Sequence, residues 1–250
     1  MSDLSAFSLS GKTIMVTGAN TGIGQGIAVS IGRAGGRVIG VGRSSMAETA
    51  RLVGDGFVGV AADLGSAKAA QTMFETAWVE HGPIDGLVNN AGIIKRVDAV
   101  DFTEEDWDSV MDINLKTMFF LCQSFGRKAL QRGHGSVVNI ASMLSFQGGI
   151  RVASYTASKS GVLGITRLLA NEWAAKGINV NAIAPGYIET NNTEALRADP
   201  DRSASILGRI PAGRWGEPSD IGDAAVFLLS RASKYMHGAV VPVDGGWLAR

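Results

Sequence analysis

The sequence predicts an α/β fold in which one doubly wound parallel sheet of about seven strands carries helices on both faces. Short runs rich in β-branched and other apolar residues alternate with longer amphipathic segments along the 250 residues. Continuous apolar strands that alternate with helices are typical of buried parallel sheets. No linker, internal repeat or low-complexity segment interrupts this pattern, so we expect a single domain over residues 1–250.

The strands are predicted from short, continuously apolar runs, and the helices from apolar residues that recur at helical spacing. The predicted strands are 13–16, 37–41, 57–61, 86–89, 136–140, 179–183 and 239–243. The predicted helices are 23–33, 67–80, 104–131, about 152–175 and 219–229. A polar stretch over 190–205 interrupts the alternation, and we expect the segment at about 190–215 to form a lid that excludes water.

Charge and composition argue against several classes of protein. The formal net charge is zero, whereas a protein that binds nucleic acid through its phosphates carries a basic excess. No apolar run reaches the length of about 18 residues that a membrane span requires, and the first residues do not resemble a signal peptide. The single cysteine, Cys122, lies in an apolar run and is expected to be a buried thiol. These features favour a cytoplasmic location without a nucleic-acid or membrane partner.

Metal ligands are not evident in the sequence. The three histidines show no ligand spacing, and no cluster of Cys, Asp or Glu resembles a metal site. No metal is expected.

A glycine-rich turn lies between the first predicted strand and the first predicted helix. It reads Thr17-Gly18-Ala19-Asn20-Thr21-Gly22-Ile23-Gly24. Glycines here allow a tight turn and a close approach of the backbone to a pyrophosphate. The first turn of a helix also offers free N–H groups to phosphates. The turn predicts a dinucleotide site of the Rossmann type, with contacts from Gly18, Asn20, Thr21, Gly22, Ile23 and Gly24.

Further motifs follow this turn in order along the chain. They are Asn89-Asn90-Ala91-Gly92, Asn114, Ser142, the Tyr155-x-x-x-Lys159 pair and Pro185-Gly186. With the Thr-Gly-x-x-x-Gly-x-Gly spacing of the turn, they make the chain resemble the short-chain dehydrogenase/reductase family over essentially its whole length. The resemblance implies a single Rossmann-type domain, hydride transfer between a nicotinamide and an alcohol or ketone, and a homotetramer.

The catalytic candidates are Asn114, Ser142, Tyr155 and Lys159. Reduction of a ketone requires a proton donor at the substrate oxygen, and oxidation of an alcohol requires a base there. Tyr155 can serve both directions, but its ordinary pKa is about 10. Lys159 lies on the same helical face, and a cation about 4 Å from the phenolate is worth roughly three pKa units. We therefore expect Lys159 to lower the pKa of Tyr155.

The remaining catalytic roles are partly implied by the resemblance. Ser142 can donate a hydrogen bond to the substrate oxygen. The resemblance implies that Lys159 also binds the nicotinamide ribose and that Asn114 anchors a water in a proton relay.

The sequence leaves NADP and NAD open as cofactors. An acid at the end of the second strand would bind the 2′-hydroxyl of NAD, but Gly42 occupies that position. Arg43, Ser44 and Ser45 could bind a 2′-phosphate, although Arg43 could instead stack on the adenine of either cofactor. The local chemistry leans to NADP, whereas the subfamily that the chain most resembles leans to NAD.

The other cofactor contacts come from the resemblance. Asp63 and Leu64 are expected at the adenine, although a lone Asp63 could also cap a helix. The remaining positions are Asn90, Ala91 and Gly92 beside the adenosine, Tyr155 and Lys159 at the ribose, and Pro185, Gly186, Ile188 and Thr190 at the nicotinamide.

The segments around Ser142 and after Pro185 resemble a subfamily that acts on keto-deoxy sugar acids. Such substrates carry a carboxylate and hydroxyls, which suit arginine, amide and hydroxyl partners. The substrate candidates are Ser142, Gln147, Arg151, Tyr155, Asn191, its neighbour Asn192, and Arg214. The alternatives are that Arg214 forms a structural ion pair and that Asn191 and Asn192 cap a helix.

Other functions remain open at this point. A 3-oxoacyl-carrier-protein reductase would share these motifs, and Arg127, Lys128 and Arg132 could form its docking patch. Gluconate 5-dehydrogenation is a second alternative. A non-catalytic nucleotide-sensing protein should lack one of Ser142, Tyr155 and Lys159, yet all are present.

The resemblance also concerns the C-terminus. In this family the last residues often reach a neighbouring active site, which would give Trp247 and Arg250 a role there.

Overall fold

A computed structural model describes residues 4–249 and contains one parallel sheet of seven strands. The strands are β1 Thr13–Thr17, β2 Arg37–Gly42, β3 Phe57–Ala61, β4 Gly86–Asn89, β5 Gly135–Ile140, β6 Ile178–Pro185 and β7 Val240–Val243. Their order across the sheet is β3-β2-β1-β4-β5-β6-β7. All neighbouring pairs are parallel. The predicted fold class, a doubly wound α/β sheet, is confirmed.

Nine α-helices are present in residues 4–249. They are α1 Gly22–Arg33, α2 Ala47–Val53, α3 Ala67–His81, α4 Glu104–Met111, α5 Met118–Arg132, α6 Ala153–Trp173, α7 Asn191–Ala198, α8 Pro200–Leu207 and α9 Pro218–Leu229. The helix predicted over 104–131 is instead two α-helices joined by a π-helical segment, Asp112–Thr117. Helix α2 was not predicted, and the polar stretch predicted to interrupt the alternation forms α7 and α8.

The two faces of the sheet carry separate hydrophobic cores because successive strand residues point to opposite sides. In β1, Ile14 and Val16 face the core formed with α1 and α9. Met15 faces the core formed with α3, α5 and α6. Since both faces are covered, the strands are buried and read as continuous apolar runs.

Two expectations about individual features can be compared with the structure. Cys122 is fully buried, and burial raises the pKa of its thiol to about 12. No helix within residues 4–249 is both long enough and apolar enough to cross a membrane. The role considered for Arg250 falls outside the described residues.

Candidate active site

A cleft of about 790 Å³ opens at the carboxyl ends of the parallel strands. Strands β1 and β4 are neighbours in the sheet, although β2 and β3 lie between them in sequence. Connections leave this point in opposite directions, so a crevice forms there, which is the usual ligand site of such sheets. The cleft brings together residues from the ends of β1, β2, β4, β5 and β6 and from the start of α6 and α7.

The glycine-rich turn forms one end of the cleft. Gly18 and Gly22 adopt positive φ angles of 67° and 56°, a backbone region that favours glycine. A Cβ atom on Gly24 would collide with the carbonyl oxygen of Gly18. The turn can therefore fold tightly only with these glycines, and it leaves the start of α1 facing the cleft. This cradle fits the pyrophosphate of a dinucleotide.

The Asn90 segment holds this turn in place. The Thr17 hydroxyl accepts hydrogen bonds from the backbone N–H groups of Asn90 and Ala91, both at 3.0 Å. The side-chain amide of Asn90 donates to the carbonyl oxygen of Thr17 at 3.0 Å. Asn90, Ala91 and Gly92 all line the cleft, and Asn90 thus also fixes the ends of β1 and β4 against each other.

The end of β2 brings polar groups to the same end of the cleft as the glycine-rich turn. A Cβ atom on Gly42 would lie 3.1 Å from Oδ1 of Asn20, and Asn20 donates a hydrogen bond to the Ser44 hydroxyl at 2.7 Å. The space for an acidic side chain at residue 42 is therefore largely filled. Arg43 and Ser44 are exposed at the cleft, and no carboxylate in residues 4–249 pairs with Arg43.

Asp63 and Leu64 line the same end of the cleft. Asp63 accepts a hydrogen bond from the backbone N–H of Gly65 at 2.9 Å. Ser66, not Asp63, accepts at the N-terminus of α3, from Ala69. Asp63 therefore closes the turn before the helix.

The chain after β6 forms another wall of the cleft. Pro185, Gly186, Ile188 and Thr190 all line the cleft. The Thr190 side chain lies against the glycine-rich turn, because a Cβ atom on Gly22 would be 3.1 Å from the Thr190 methyl group. The loop after β6 and the glycine-rich turn therefore meet across the cleft.

Ser142, Tyr155 and Lys159 meet at the centre of the cleft. Ser142 follows β5, and its hydroxyl accepts a hydrogen bond from the backbone N–H of Leu144 at 3.1 Å. The buried Lys159 lies with its Nζ 5.7 Å from the centre of the Tyr155 ring. This Nζ donates to the carbonyl oxygen of Ile140 at 2.6 Å. An acid–base group, a hydroxyl donor and a cation therefore share one site.

The predicted lowering of the Tyr155 pKa is wrong for the protein alone. Burial raises the pKa of Tyr155 above its ordinary value, while the hydrogen bond from Ser142 and the charge of Arg96 oppose this change to a smaller extent. Burial also lowers the pKa of Lys159 to about 8. Burial removes water from the Tyr155 phenolate and the Lys159 ammonium, and this loss of hydration disfavours the charged form of both groups.

Asn114 is 2 % exposed and does not line the cleft. Its side-chain oxygen accepts a hydrogen bond from the backbone N–H of Ile93 at 2.9 Å. Its side-chain NH₂ group donates one hydrogen bond to the Ile93 carbonyl oxygen at 2.9 Å and another to the Ser158 hydroxyl at 3.3 Å. Asn114 therefore ties the loop after β4 to helix α6. It lies in the π-helical segment, an irregularity often found at functional sites.

The substrate candidates divide into two groups. Gln147, Asn191 and Asn192 line the cleft together with Ser142 and Tyr155. Arg151 and Arg214 do not line it.

Arg151 and Arg214 are instead engaged by carboxylates. Arg151 pairs with Asp98 at 3.0 Å. Arg214 forms a bidentate pair with Asp220 at 2.8 and 3.0 Å, which is the structural ion pair considered as its alternative. The expected substrate contacts of these two arginines are therefore not supported.

Sequence reasoning missed other residues of the cleft. Three additional arginines, Arg96, Arg202 and Arg209, line it, and so does Trp247. Arg96 follows the Asn89–Gly92 motif closely, which could have drawn attention to it. Nothing local in the sequence marks Arg202 or Arg209. Trp247 lies in the cleft of its own chain, whereas the family resemblance pointed to a neighbouring one.

No group of three or more His, Cys, Asp and Glu residues that could hold a metal ion is found among residues 4–249.

Comparisons with known proteins agree with this geometry. The family described as enoyl-(acyl carrier protein) reductase matches residues 18–248. A 2-dehydro-3-deoxy-D-gluconate 5-dehydrogenase of Dickeya dadantii is 55% identical, with 99% of each chain covered. A crystal structure of a protein from Agrobacterium tumefaciens contains bound NADP, and that protein is provisionally described as a 2-deoxy-D-gluconate 3-dehydrogenase. The two sequences are 58% identical, the TM-score is 0.93, and the match covers 98% of this chain and 99% of the other.

A more distant structure also carries NADP. It comes from Beutenbergia cavernae, is provisionally described as an NAD(P)-dependent gluconate 5-dehydrogenase, and holds NADP at low occupancy. It is 49% identical, with a TM-score of 0.94 and 98% and 100% of the chains covered.

Proposed function

The chain belongs to the short-chain dehydrogenase/reductase family, and we propose that it is an NAD(P)-dependent oxidoreductase of a keto-deoxy sugar acid. The proposed type is 2-dehydro-3-deoxy-D-gluconate 5-dehydrogenase, also described as 2-deoxy-D-gluconate 3-dehydrogenase. The observation that carries this proposal is the meeting of Ser142, Tyr155 and Lys159 in the same cleft as the glycine-rich turn. Similarity to such a dehydrogenase over 99% of both chains supports the substrate class.

The roles of the chain's own residues follow from the geometry. The nicotinamide, when bound, accepts or supplies the hydride. The Ser142 hydroxyl holds the substrate oxygen, and Tyr155 takes or gives the proton at its phenolic oxygen. Lys159 is held by the Ile140 carbonyl and places positive charge near the phenolate as it forms. Asn114 acts by positioning α6 through Ser158.

The preferred cofactor in this proposal is NADP. Residue 42 is glycine, so the carboxylate that would repel a 2′-phosphate at this position is missing. Arg43 and Ser44 are available to bind that phosphate through charge-assisted hydrogen bonds. Asp63 lies at the same end of the cleft and is assigned to the adenine.

The first experiment measures absorbance at 340 nm with purified protein and 2-dehydro-3-deoxy-D-gluconate, using NADP and NAD separately. We expect turnover with the sugar acid and a preference for NADP. Tyr155→Phe should reduce kcat by about 100-fold or more, because the proton donor and acceptor is lost. Arg43→Gln should raise the KM for NADP by roughly 10-fold or more and leave that for NAD nearly unchanged.

The same assay separates the competing functions. Turnover of an acetoacetyl thioester but of no sugar acid would replace the proposal with a 3-oxoacyl reductase. Turnover of gluconate alone would replace it with gluconate 5-dehydrogenation. If Tyr155→Phe and Lys159→Met both kept the activity of the wild type, the assignment of the catalytic site would be contradicted.

A further inference from the structure

One wall of the cleft carries a stacked pair formed by Arg209 and Trp247. The guanidinium carbon of Arg209 lies 4.0 Å from the centre of the Trp247 ring system. A guanidinium at this distance is attracted to the aromatic face, although Arg209 as a whole is exposed. Arg209 follows α8, whereas Trp247 lies in the final short helix, so the pair exists only in the folded chain.

Trp247 is fixed from its other sides. The residue is 5 % exposed and belongs to a small apolar cluster with Ile210 and Met143. The ring of Tyr187 meets it at 4.9 Å in an edge-to-face arrangement. Met143 is the direct neighbour of Ser142 in the chain, so the stacked pair is anchored beside the catalytic hydroxyl.

Both members of the pair have unused donors. The indole Nε1 of Trp247 is buried and has no hydrogen-bond partner within residues 4–249. Arg209 makes no ion pair with any carboxylate in that part of the chain, although its side chain lines the cleft. A buried N–H without an acceptor is unfavourable and rare. An anionic oxygen ligand would satisfy the two groups together.

The other cations of the cleft are committed or lie elsewhere. Lys159 donates to the Ile140 carbonyl oxygen, and Arg96 donates to the Asn192 carbonyl oxygen at 3.4 Å. Arg43 lies at the adenosine end. Arg202 lines the cleft, but its guanidinium stacks on no aromatic ring within residues 4–249, whereas that of Arg209 does.

We propose that Arg209 and the Trp247 indole N–H bind the carboxylate of the sugar acid, and that this pair selects acids over neutral polyols. The inference rests on the proposed function and adds the residues that set its specificity. A carboxylate bound by the stacked guanidinium and the buried N–H gains charge-assisted hydrogen bonds that an uncharged group cannot match. It also gives the substrate one orientation toward Ser142 and Tyr155.

The test compares kcat/KM for 2-dehydro-3-deoxy-D-gluconate with kcat/KM for its uncharged C1 carboxamide. Arg209→Gln should lower the value for the acid by about 100-fold and that for the amide by less than about 3-fold, because only the charged contact is lost. Trp247→Phe keeps an aromatic ring under Arg209 but removes the N–H. It should lower the value for the acid by about 10-fold.

Arg202→Gln is the matched control, because it removes another guanidinium from the same cleft. It should leave the acid-to-amide ratio near the wild-type value. An unchanged ratio in Arg209→Gln, or an equal fall in Arg202→Gln, would overturn the inference. NADPH binding followed by fluorescence checks that each variant is folded. If Arg209→Gln does not fold, an unchanged kcat/KM for the acid in Trp247→Phe overturns the inference instead.

The outcomes also separate the two proposals. Wild-type protein that turns over no sugar acid would refute the proposed function. If the wild-type protein turns over the sugar acid and the variants leave the acid-to-amide ratio of kcat/KM unchanged, only the role of Arg209 and Trp247 would be refuted.

Discussion

Lys159 places an ionisable ammonium group where almost no water reaches it. The residue is 5 % exposed, and its Nζ has one hydrogen bond, to the Ile140 carbonyl oxygen. Loss of hydration disfavours the charged form, so burial lowers the pKa of Lys159 from 10.5 to about 8. The protein therefore keeps a lysine that is easily deprotonated beside a tyrosine whose own pKa is raised.

This burial predicts a particular dependence of stability on pH. The folded-state pKa of Lys159 lies below the unfolded value, so between about pH 8 and 10.5 the unfolded chain binds more protons at this residue. The free energy of unfolding therefore rises with pH across that window. Between about pH 7.5 and about pH 9.5, the free energy of unfolding of the wild type should rise by about 2 kcal/mol relative to that of Lys159→Met. Urea denaturation at each pH measures this difference.

The control is Lys176→Met, which removes an exposed lysine. Its unfolding free energy should follow that of the wild type across the same range. A wild-type advantage over Lys159→Met that stays flat or shrinks with rising pH would contradict the proposed burial cost.

At the scale of the elements, helices α7 and α8 differ from the rest of the fold. Neither helix contains a buried residue. Their attachment includes the hydrogen bond from the Thr193 hydroxyl to the Ile188 carbonyl oxygen at 2.7 Å and the pair of Arg197 with Glu189 at 3.6 Å. Residues of both helices nevertheless line the cleft. This arrangement supports the proposal that the segment acts as a lid.

Limited proteolysis tests this weak attachment. Trypsin should cut first after Arg197 or Arg202, because a segment with few buried contacts opens at a low free-energy cost. NADP together with the sugar acid should slow this cleavage if the helices close over both ligands. Mass spectrometry of the first fragments identifies the sites.

A variant with Arg197→Gln and Arg202→Gln provides the comparison for this digestion. Its first cleavage should be slower and should move elsewhere. First cuts in the sheet or in α6 of the wild-type protein would contradict the interpretation.

The whole molecule is neutral, but its cleft is not. The charged side chains that line the cleft include four arginines, Arg43, Arg96, Arg202 and Arg209, and one carboxylate, Asp63. Lys159 adds to this positive character. A cleft lined by one sign of charge attracts ligands of the opposite sign. Dinucleotides and sugar acids are both anionic, so the charge distribution suits the proposed ligands although the net charge of zero gave no sign of it.

The homotetramer implied by the family resemblance remains a prediction. Leu168 on α6 is 45% exposed although it is a large apolar residue on a long helix, and a partner chain would cover it. Light scattering after size exclusion should give a mass of four chains of 26.1 kDa each. Leu168→Glu should shift the protein toward smaller species by placing a charge in an apolar contact.

The comparison variant is Leu163→Ala. Leu163 is a buried residue of the same helix, so this substitution weakens the core without adding a charge to the surface. It should lower thermal stability while leaving the mass unchanged. A monomeric wild type, or an unchanged mass in Leu168→Glu, would contradict the proposal that this surface is part of an interface.

The cytoplasmic location likewise stays a prediction.

Local patterns in the sequence were sufficient for the seven strands and for the motifs of the site, although α2, α7 and α8 were not predicted. Periodicity predicts a strand or a helix because each depends on neighbouring residues. The spacing of Tyr155 and Lys159 places both on one helical face for the same reason. The glycine-rich turn could be predicted because its glycines are required by the local backbone. These features explain why the fold class followed from local patterns, whereas the reaction type followed from the resemblance of these motifs to a known family.

Only the tertiary structure decided which distant residues share the cleft and in which charge state. Arg209 and Trp247 come together because the segment after α8 and the C-terminus pack on one apolar cluster. Arg214 is withdrawn from the substrate by Asp220. The pKa of Tyr155 is raised because burial outweighs the charges near it. Long-range packing sets burial and ion pairing, and no local pattern in the sequence encodes either of them.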